Sequence, residues 1–136
     1  MNKKSIGVIF AVAIIFLGFL MLTNFNTTDQ NILKQTFVIG AVYFKNDGFV
    51  EISFHDKSNK TNHVTMEILG MPESFHKEYD SSSFVEKIIL TSAPKYGWQS
   101  IPVTLLVKHE EFGKIGIKTE IRPVGENHAT IIFSNL

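Results

Sequence analysis

An uninterrupted apolar run at residues 6–22 constrains this chain more than any other feature of its sequence. The run reads IGVIFAVAIIFLGFLML and contains no charged side chain and no side-chain amide. As a helix it would rise about 25 Å at ~1.5 Å per residue, close to the roughly 30 Å hydrocarbon thickness of a bilayer. We therefore predict that residues 1–23 form one N-terminal transmembrane helix.

The residues after the run indicate that this helix stays in the mature protein. A cleaved secretory signal has a shorter apolar centre and ends in small residues at its processing site. Here the run continues into Thr23-Asn24-Phe25-Asn26, and the chain has no cysteine for a lipoprotein anchor. We predict an uncleaved signal anchor, with cleavage as the alternative.

The basic residues set the orientation of the predicted anchor. Lys3 and Lys4 precede the run, and the next basic residue, Lys34, lies well beyond it. Basic flanks stay on the cytoplasmic side of a membrane. We therefore expect a single-pass protein of the cell membrane, with a cytoplasmic N-terminus and an extracytoplasmic C-terminal domain.

A stripe of small residues follows one face of the predicted helix. Gly7, Ala11 and Gly18 recur at the helical period, and small residues let helices pack closely in lipid. Glycine and alanine are also simply common in membrane-spanning helices. A packing face and a compositional origin of the stripe both stay open.

The rest of the chain suffices for one domain. About 105 residues follow the anchor, enough for one hydrophobic core and not for two. Residues 24–35 are polar, so we predict a short stalk there and one extracytoplasmic domain at residues 36–136. This exported part carries 13 acidic and 11 basic residues, a net charge near −2, which argues against a nucleic-acid partner.

From residue 36 onward the apolar residues recur with the period of two that is typical of strands. Residues 36–44 and 49–55 flank Lys45-Asn46-Asp47-Gly48, a sequence that predicts a β-hairpin turn. Further strands are predicted at 64–68, 84–90, 101–107, 115–121 and 128–133, with a short edge strand within 73–83. Seven or eight strands without an amphipathic helix predict an all-β fold, an antiparallel β-sandwich.

Two neighbouring strands provide a test of this alternation. Val103 and Ile117 each lie in a row of apolar residues of the same parity, so we expect both in the core. Thr104 and Lys118 have the opposite parity, and we expect them to face solvent.

The strand order, the break Gly70-Met71-Pro72 after the third strand and the closing segment Gly113–Ile121 resemble immunoglobulin-like domains of prokaryotic exported proteins. The resemblance covers residues 36–134, although the family's cysteine pair is absent and Trp98 precedes a strand. It implies binding or structural support, with catalysis uncommon, and a fold alone does not determine function.

Two histidines form the clearest candidate metal site. His55 and His63 share outward parity with Glu51 and Glu67. A loop at residues 56–62 between antiparallel strands would bring the two imidazoles opposite each other at ~5 Å. Imidazole nitrogen suits copper or zinc, and Asp56 is a candidate third ligand. The alternative is two solvent-facing histidines without metal, and we predict no other cofactor.

The remaining histidine and serine segments give weaker indications of function. The segments His76-Lys77-Glu78 and His109-Glu110-Glu111 are expected to be solvated loops, and Ser81-Ser82-Ser83 lacks the context of a catalytic nucleophile. We therefore expect no enzymatic activity. Asn26 and Asn59 begin acceptor triplets for glycosylation.

Three hypotheses for function follow. The leading one is a non-catalytic, single-pass accessory or structural subunit of a larger membrane complex, for example a respiratory oxidase or a copper-dependent monooxygenase. Its partners would be the lipid bilayer and other membrane subunits, contacted through the helix and the β-domain. The alternatives are a pilin-like filament or surface protein with a cleaved leader, and a membrane-anchored copper or zinc chaperone.

We predict that Gly18→Leu leaves membrane insertion intact and weakens assembly, because leucine adds apolar surface for lipid while it separates closely packed backbones. Membrane fractionation measures insertion, and recovery of the chain in a complex after mild detergent extraction measures assembly. Equal recovery of the variant and the natural chain would show that the stripe faces lipid.

Overall fold

The computed structural model describes residues 28–136. The predicted transmembrane helix, its stripe of Gly7, Ala11 and Gly18, and the triplet at Asn26 lie outside the described residues. Within the described residues, none of the helices combines the length and the apolar character that crossing a membrane requires.

The described residues form two stacked β-sheets. The elements are α1 (Gln30–Thr36), β1 (Phe37–Phe44), β2 (Phe49–Asp56), β3 (Thr61–Ile68), β4 (Phe75–Tyr79), β5 (Ser83–Ile89), a 3-10 helix (Trp98–Ser100), β6 (Pro102–His109), β7 (Gly113–Glu120), β8 (Arg122–Pro123) and β9 (Ile132–Asn135). Sheet A has four strands in the order β5-β2-β1-β8, and sheet B has five in the order β4-β3-β6-β7-β9. All pairs of neighbouring strands are antiparallel except β1 and β8, which are parallel.

The predicted all-β sandwich is confirmed, and its core follows the period-two pattern. Val103 and Ile117 are buried in the core, while Thr104 and Lys118 are exposed, as the parity of the two strands predicts. The predicted hairpin is also present, since β1 and β2 pair from Phe44 opposite Phe49 onward. Gly48 closes its turn with a φ of +70°, a conformation that favours glycine.

Three features differ from the sequence-based expectation. The described residues contain nine strands, two of them very short, where seven or eight were predicted. The last strand lies at Ile132–Asn135 and not at 128–133. Strands β2 and β3 do not pair, because the chain crosses from sheet A to sheet B between them. Alternation indicates which face of a strand is buried, but it carries no information on which strand lies beside it.

Residues 30–36 form a helix inside the segment predicted as a polar stalk. The Asp29 carboxylate caps α1 by accepting a hydrogen bond from the Asn31 N–H at 2.8 Å. Leu33 is fully buried in the core, and the Gln30 side chain donates to the Phe133 carbonyl of β9. One apolar residue thus ties the segment to the sandwich, although the segment has no apolar repeat.

The lateral opening between β4 and β5, the outer strands of the two sheets, is closed by charged side chains that point inward. Lys77 of β4 donates to the Glu86 carboxylate of β5 at 2.8 Å, and the Tyr79 hydroxyl donates to the same oxygen at 2.8 Å. The bond from Lys77 holds the pKa of the Glu86 carboxyl below its ordinary value, while burial and Glu86 raise the pKa of Tyr79. Inward charges on edge strands oppose pairing with further strands.

The strand register defines two ends of the sandwich. At the helix end, where α1 joins β1, lie the connections at residues 57–60, 80–82 and 110–112. At the far end lie the connections at residues 45–48, 69–74 and 90–101. The described chain begins at residue 28, just before α1, whose first residue, Gln30, contacts the Phe133 carbonyl of β9.

We predict that Leu33→Ala destabilises the domain by about 2–4 kcal/mol, because it leaves a cavity where a buried leucine packs. Ile32→Ala is the matched control, since Ile32 is exposed and its truncation should change the unfolding free energy by at most ~0.5 kcal/mol. Urea unfolding of a fragment spanning residues 28–136 measures both. Equal effects of the two substitutions would mean that α1 does not pack on the sandwich in solution.

Candidate functional site

The structure separates the two histidines proposed as metal ligands. His55 is exposed on the outer face of sheet A, whereas His63 lies on β3 in sheet B. The opposed imidazoles that motivated a copper or zinc site are therefore not formed, because the intervening loop is a crossover and not a hairpin. Asp56, the candidate third ligand, is fully buried.

His63 instead belongs to a row of charged residues on the outer face of β3 and β4. Its Nδ1 lies 2.6 Å from an Asp80 carboxylate oxygen, and His76 Nδ1 lies 3.0 Å from Glu67. The Nε2 atoms of both histidines approach Glu78, at 4.0 and 3.8 Å. Within the described residues no group of three His, Cys, Asp or Glu side chains is placed to hold a metal ion. The row therefore pairs neighbouring strands electrostatically.

The Asp56 carboxylate at the helix end is one of the buried polar groups of the domain. Oδ1 accepts hydrogen bonds from the Ser58 N–H at 2.8 Å and the Ser58 hydroxyl at 2.6 Å. Oδ2 accepts from the N–H groups of Lys60 and Thr61 and from the Thr61 hydroxyl, at 2.8–3.0 Å. Burial raises the pKa of the Asp56 carboxyl, but these hydrogen bonds outweigh it and hold the pKa below its ordinary value.

His109 completes this network, and its side chain is fully buried. The expectation of a solvated loop at 109–111 is therefore wrong for His109. Its Nε2 lies 3.0 Å from Ser58 Oγ and 3.4 Å from Asp56 Oδ2. The imidazole also stacks on Phe112 with ring centroids 4.4 Å apart, and Phe37 meets it edge-on at 5.6 Å. It thereby connects the 57–60 crossover to the turn between β6 and β7.

A serine, a histidine and an aspartate in contact raise the question of nucleophilic catalysis. His109 Nδ1 accepts hydrogen bonds from the Glu111 and Phe112 N–H groups, at 3.1 and 3.2 Å. A neutral imidazole with an accepting Nδ1 carries its proton on Nε2, the atom that faces Ser58. That nitrogen has no lone pair to take the Ser58 proton, which is itself donated to Asp56. The arrangement fixes two loops and does not activate a nucleophile.

The sequence contains a signal for this network that the search for catalytic motifs missed. Asp56, Ser58 and Thr61 have the spacing at which an aspartate accepts hydrogen bonds from backbone groups just after it in a turn. The contribution of His109, distant in sequence, follows only from the pairing of β3 with β6.

The far end carries two adjoining open clefts, with volumes of about 460 and 430 Å³. Both lie between the 69–74 and 90–101 connections and share Met71, Pro72 and Leu90 as lining residues. The two connections touch closely, because a Cβ on Gly70 would lie 2.1 Å from the Ser100 carbonyl oxygen. Tyr96, which lines the second cleft, is 76% exposed.

The outer faces of the two sheets differ in character. The outer face of sheet B carries mainly charged and polar side chains, including the row around Glu78. The outer face of sheet A carries an apolar surface in which Val85 is 61% exposed and Ile89 is 80% exposed. By strand register, the apolar members of this outer face are Val38, Val42, Phe44, Phe49, Val85 and Ile89.

No protein-family model, curated protein or solved structure matches this chain significantly. Function is therefore inferred from the geometry of these clefts, networks and faces.

We predict that Asp56→Asn destabilises the domain by about 2–4 kcal/mol at pH 7, because an amide cannot accept all the hydrogen bonds that converge on the carboxylate. Asp47→Asn in an exposed turn is the matched control, with an expected change within ~0.5 kcal/mol.

The same variant has a defined pH dependence. The folded-state pKa of Asp56 lies below the ordinary value of 3.8. Its contribution is therefore present above that value and is lost as the pH falls through the folded-state pKa. The difference between the natural chain and Asp56→Asn should shrink below about pH 4. Urea unfolding at several pH values measures this, and a difference that stays constant to pH 2 contradicts it.

Proposed function

We propose that this chain is a non-catalytic, single-pass accessory subunit of a larger membrane complex, and that it holds a partner subunit at the far end of its sandwich. The observation that carries the proposal is the pair of adjoining apolar clefts at that end, one of them lined by the exposed Tyr96. Large apolar side chains exposed beside a cleft are typical of surfaces that bind other proteins.

The sequence and the position of the clefts support the anchored arrangement. The apolar run at residues 6–22 has the composition of a membrane anchor, and only a few residues separate it from α1. We place the anchor on the side of the helix end, where α1 leads into β1, so that the far end lies away from the lipid headgroups. A partner at the clefts would then be an extracytoplasmic segment of another membrane subunit.

The strand order supports an immunoglobulin-like version of the sandwich. In sheet A, β1, β2 and β5 lie side by side, as the A, B and E strands do in that fold. In sheet B, the order β4-β3-β6-β7 corresponds to C′-C-F-G. Strands β8 and β9 extend the two sheets by short additional pairs.

The buried polar groups support a non-catalytic role. Among the described residues, Asp56, Ser58 and His109 meet at the helix end. Their hydrogen bonds hold the 57–60 crossover and the 110–112 turn in place. A binding domain needs only rigid surfaces, and this network supplies rigidity at the end nearest the proposed anchor.

We predict that Tyr96→Asp lowers the recovery of a co-purifying subunit by about tenfold or more, because a charge replaces an exposed aromatic side chain at the edge of the cleft. The measurement is purification of the tagged full-length chain from native membranes in mild detergent, with co-eluting subunits identified by mass spectrometry. A chain that elutes without any other subunit contradicts the proposal.

Ile132→Asp is the matched control, since Ile132 is 59% exposed on the outer face of sheet B, away from the clefts. It introduces the same charge in place of an exposed apolar side chain and should leave recovery unchanged. If both variants lose the subunit equally, the clefts are not the contact.

A further inference from the structure

We infer that the outer face of sheet A is a self-association surface, on which a second copy of this chain packs face to face. This inference rests on the membrane anchor in the proposed function, but it concerns the outer face of sheet A, which meets the far-end clefts only at Ile89. The face carries exposed Val38, Val85 and Ile89, with Phe44 and Phe49 stacked beside them at 4.8 Å between ring centroids. Ile89 lies beside Phe49 in the sheet and is 80% exposed.

The register of the three central strands arranges this face in four rows across the sheet. An apolar row at the far end contains Phe44, Phe49 and Ile89, and the next row contains Val42, Glu51 and Lys87. The remaining rows are Gly40, Ser53 and Val85, then Val38, His55 and Ser83. Each row crosses β1, β2 and β5 in that order.

The anchor restricts how two copies can meet. Both copies would enter the membrane at the helix end, so a closed pair must have its two-fold axis along the membrane normal. The strands of sheet A run between the helix end and the far end. With the axis parallel to the strands, each row on one copy faces the same row on the other.

The charges in the second row select the position of the axis. An axis between β2 and β5 places Glu51 opposite Lys87 of the second copy, twice by symmetry. An axis on β2 would oppose Glu51 to Glu51, and an axis between β1 and β2 would oppose Lys87 to Arg122, the β8 residue of that row. Of these three arrangements only the first pairs opposite charges. An axis on β1 would oppose Glu51 to Arg122, but Arg122 already lies 3.1 Å from Glu120, and this axis would leave β5 without a facing strand.

The same axis matches the other rows. It places Phe49 opposite Ile89 in the apolar row and Ser53 opposite Val85 in the third row. Within one copy, Lys87 already lies 3.9 Å from Glu51 and 4.9 Å from the Phe49 ring centroid. On association, Glu51 and Lys87 of one copy can therefore pair with Lys87 and Glu51 of the other, and no charge is left unpaired in the interface.

The size of the face explains why the anchor matters. Three strands spaced ~4.8 Å apart, over seven residues at ~3.4 Å, cover roughly 340 Å² per copy. A stable interface between soluble proteins needs about 800 Å² per partner. The face is too small to hold two free domains together, and anchoring in one membrane would supply the missing effective concentration.

The chain contains no cysteine, so a single introduced cysteine is the only thiol available for cross-linking. Purified full-length protein is reconstituted into phosphatidylcholine vesicles, without other subunits, as the single-cysteine variants Val85→Cys and Thr104→Cys. Thr104 is exposed on the outer face of sheet B and is the matched control. A short bismaleimide should cross-link Val85→Cys into a dimer and leave Thr104→Cys monomeric.

Charge variants in the Val85→Cys background test the proposed axis. Lys87→Glu opposes two acidic residues across the interface and should lower the dimer yield about fivefold. Adding Glu51→Lys restores opposite charges and should restore the yield. An unchanged yield in Lys87→Glu overturns the proposed axis and register.

The remaining outcomes separate this inference from the proposed function. Equal cross-linking at residues 85 and 104, or none at residue 85 in vesicle-bound protein, overturns the face-to-face pair and leaves the accessory role standing. Protein that does not associate with the vesicles overturns the anchor and, with it, both proposals.

Discussion

The packing of two apolar sheet faces against each other is the interaction on which this structure depends. Residues of one parity on β2, β3, β6 and β7 fill the space between the sheets, and Ile52, Met66 and Ile117 are among the most deeply buried. α1 adds Leu33 to the same core, so the chain is held to the sandwich before its first strand begins. The clefts, the polar network and the outer faces all owe their rigidity to this core.

At the helix end, the Asp56 carboxylate accepts hydrogen bonds from backbone N–H groups that have no partner in either sheet. The chain must leave sheet A and enter sheet B, and the backbone N–H groups of this crossover are partly or fully buried without a strand partner. Asp56 accepts those of Ser58, Lys60 and Thr61, and His109 accepts two more from the neighbouring turn. The residues resemble a catalytic set by type, but their hydrogen bonds are those of a structural brace.

The outer faces of the two sheets differ in polarity, and this difference bears on which of them contacts other chains. Sheet B presents contacts between histidine and carboxylate side chains, which suit a surface in contact with water. Sheet A presents one apolar row, a pair of opposite charges and the exposed Val38 and Val85, and the far end presents apolar clefts. At the β4 and β5 edges, the inward Lys77 and Glu86 oppose pairing with further strands.

Alternation in the sequence determined which residues are buried, because a strand with one buried face must repeat every two residues. It placed Val103 and Ile117 in the core and located the β1–β2 hairpin from a turn that ends in Gly48. The apolar run at residues 6–22 is likewise a property of sequence alone, and the anchor stays a prediction. Tertiary structure decided which strands are neighbours: it sent His55 and His63 to different sheets, buried His109 and Leu33, and joined Met71 to Leu90 in a cleft. These contacts join residues distant in the chain, and their partners are selected by the packing of whole faces, which no local pattern encodes.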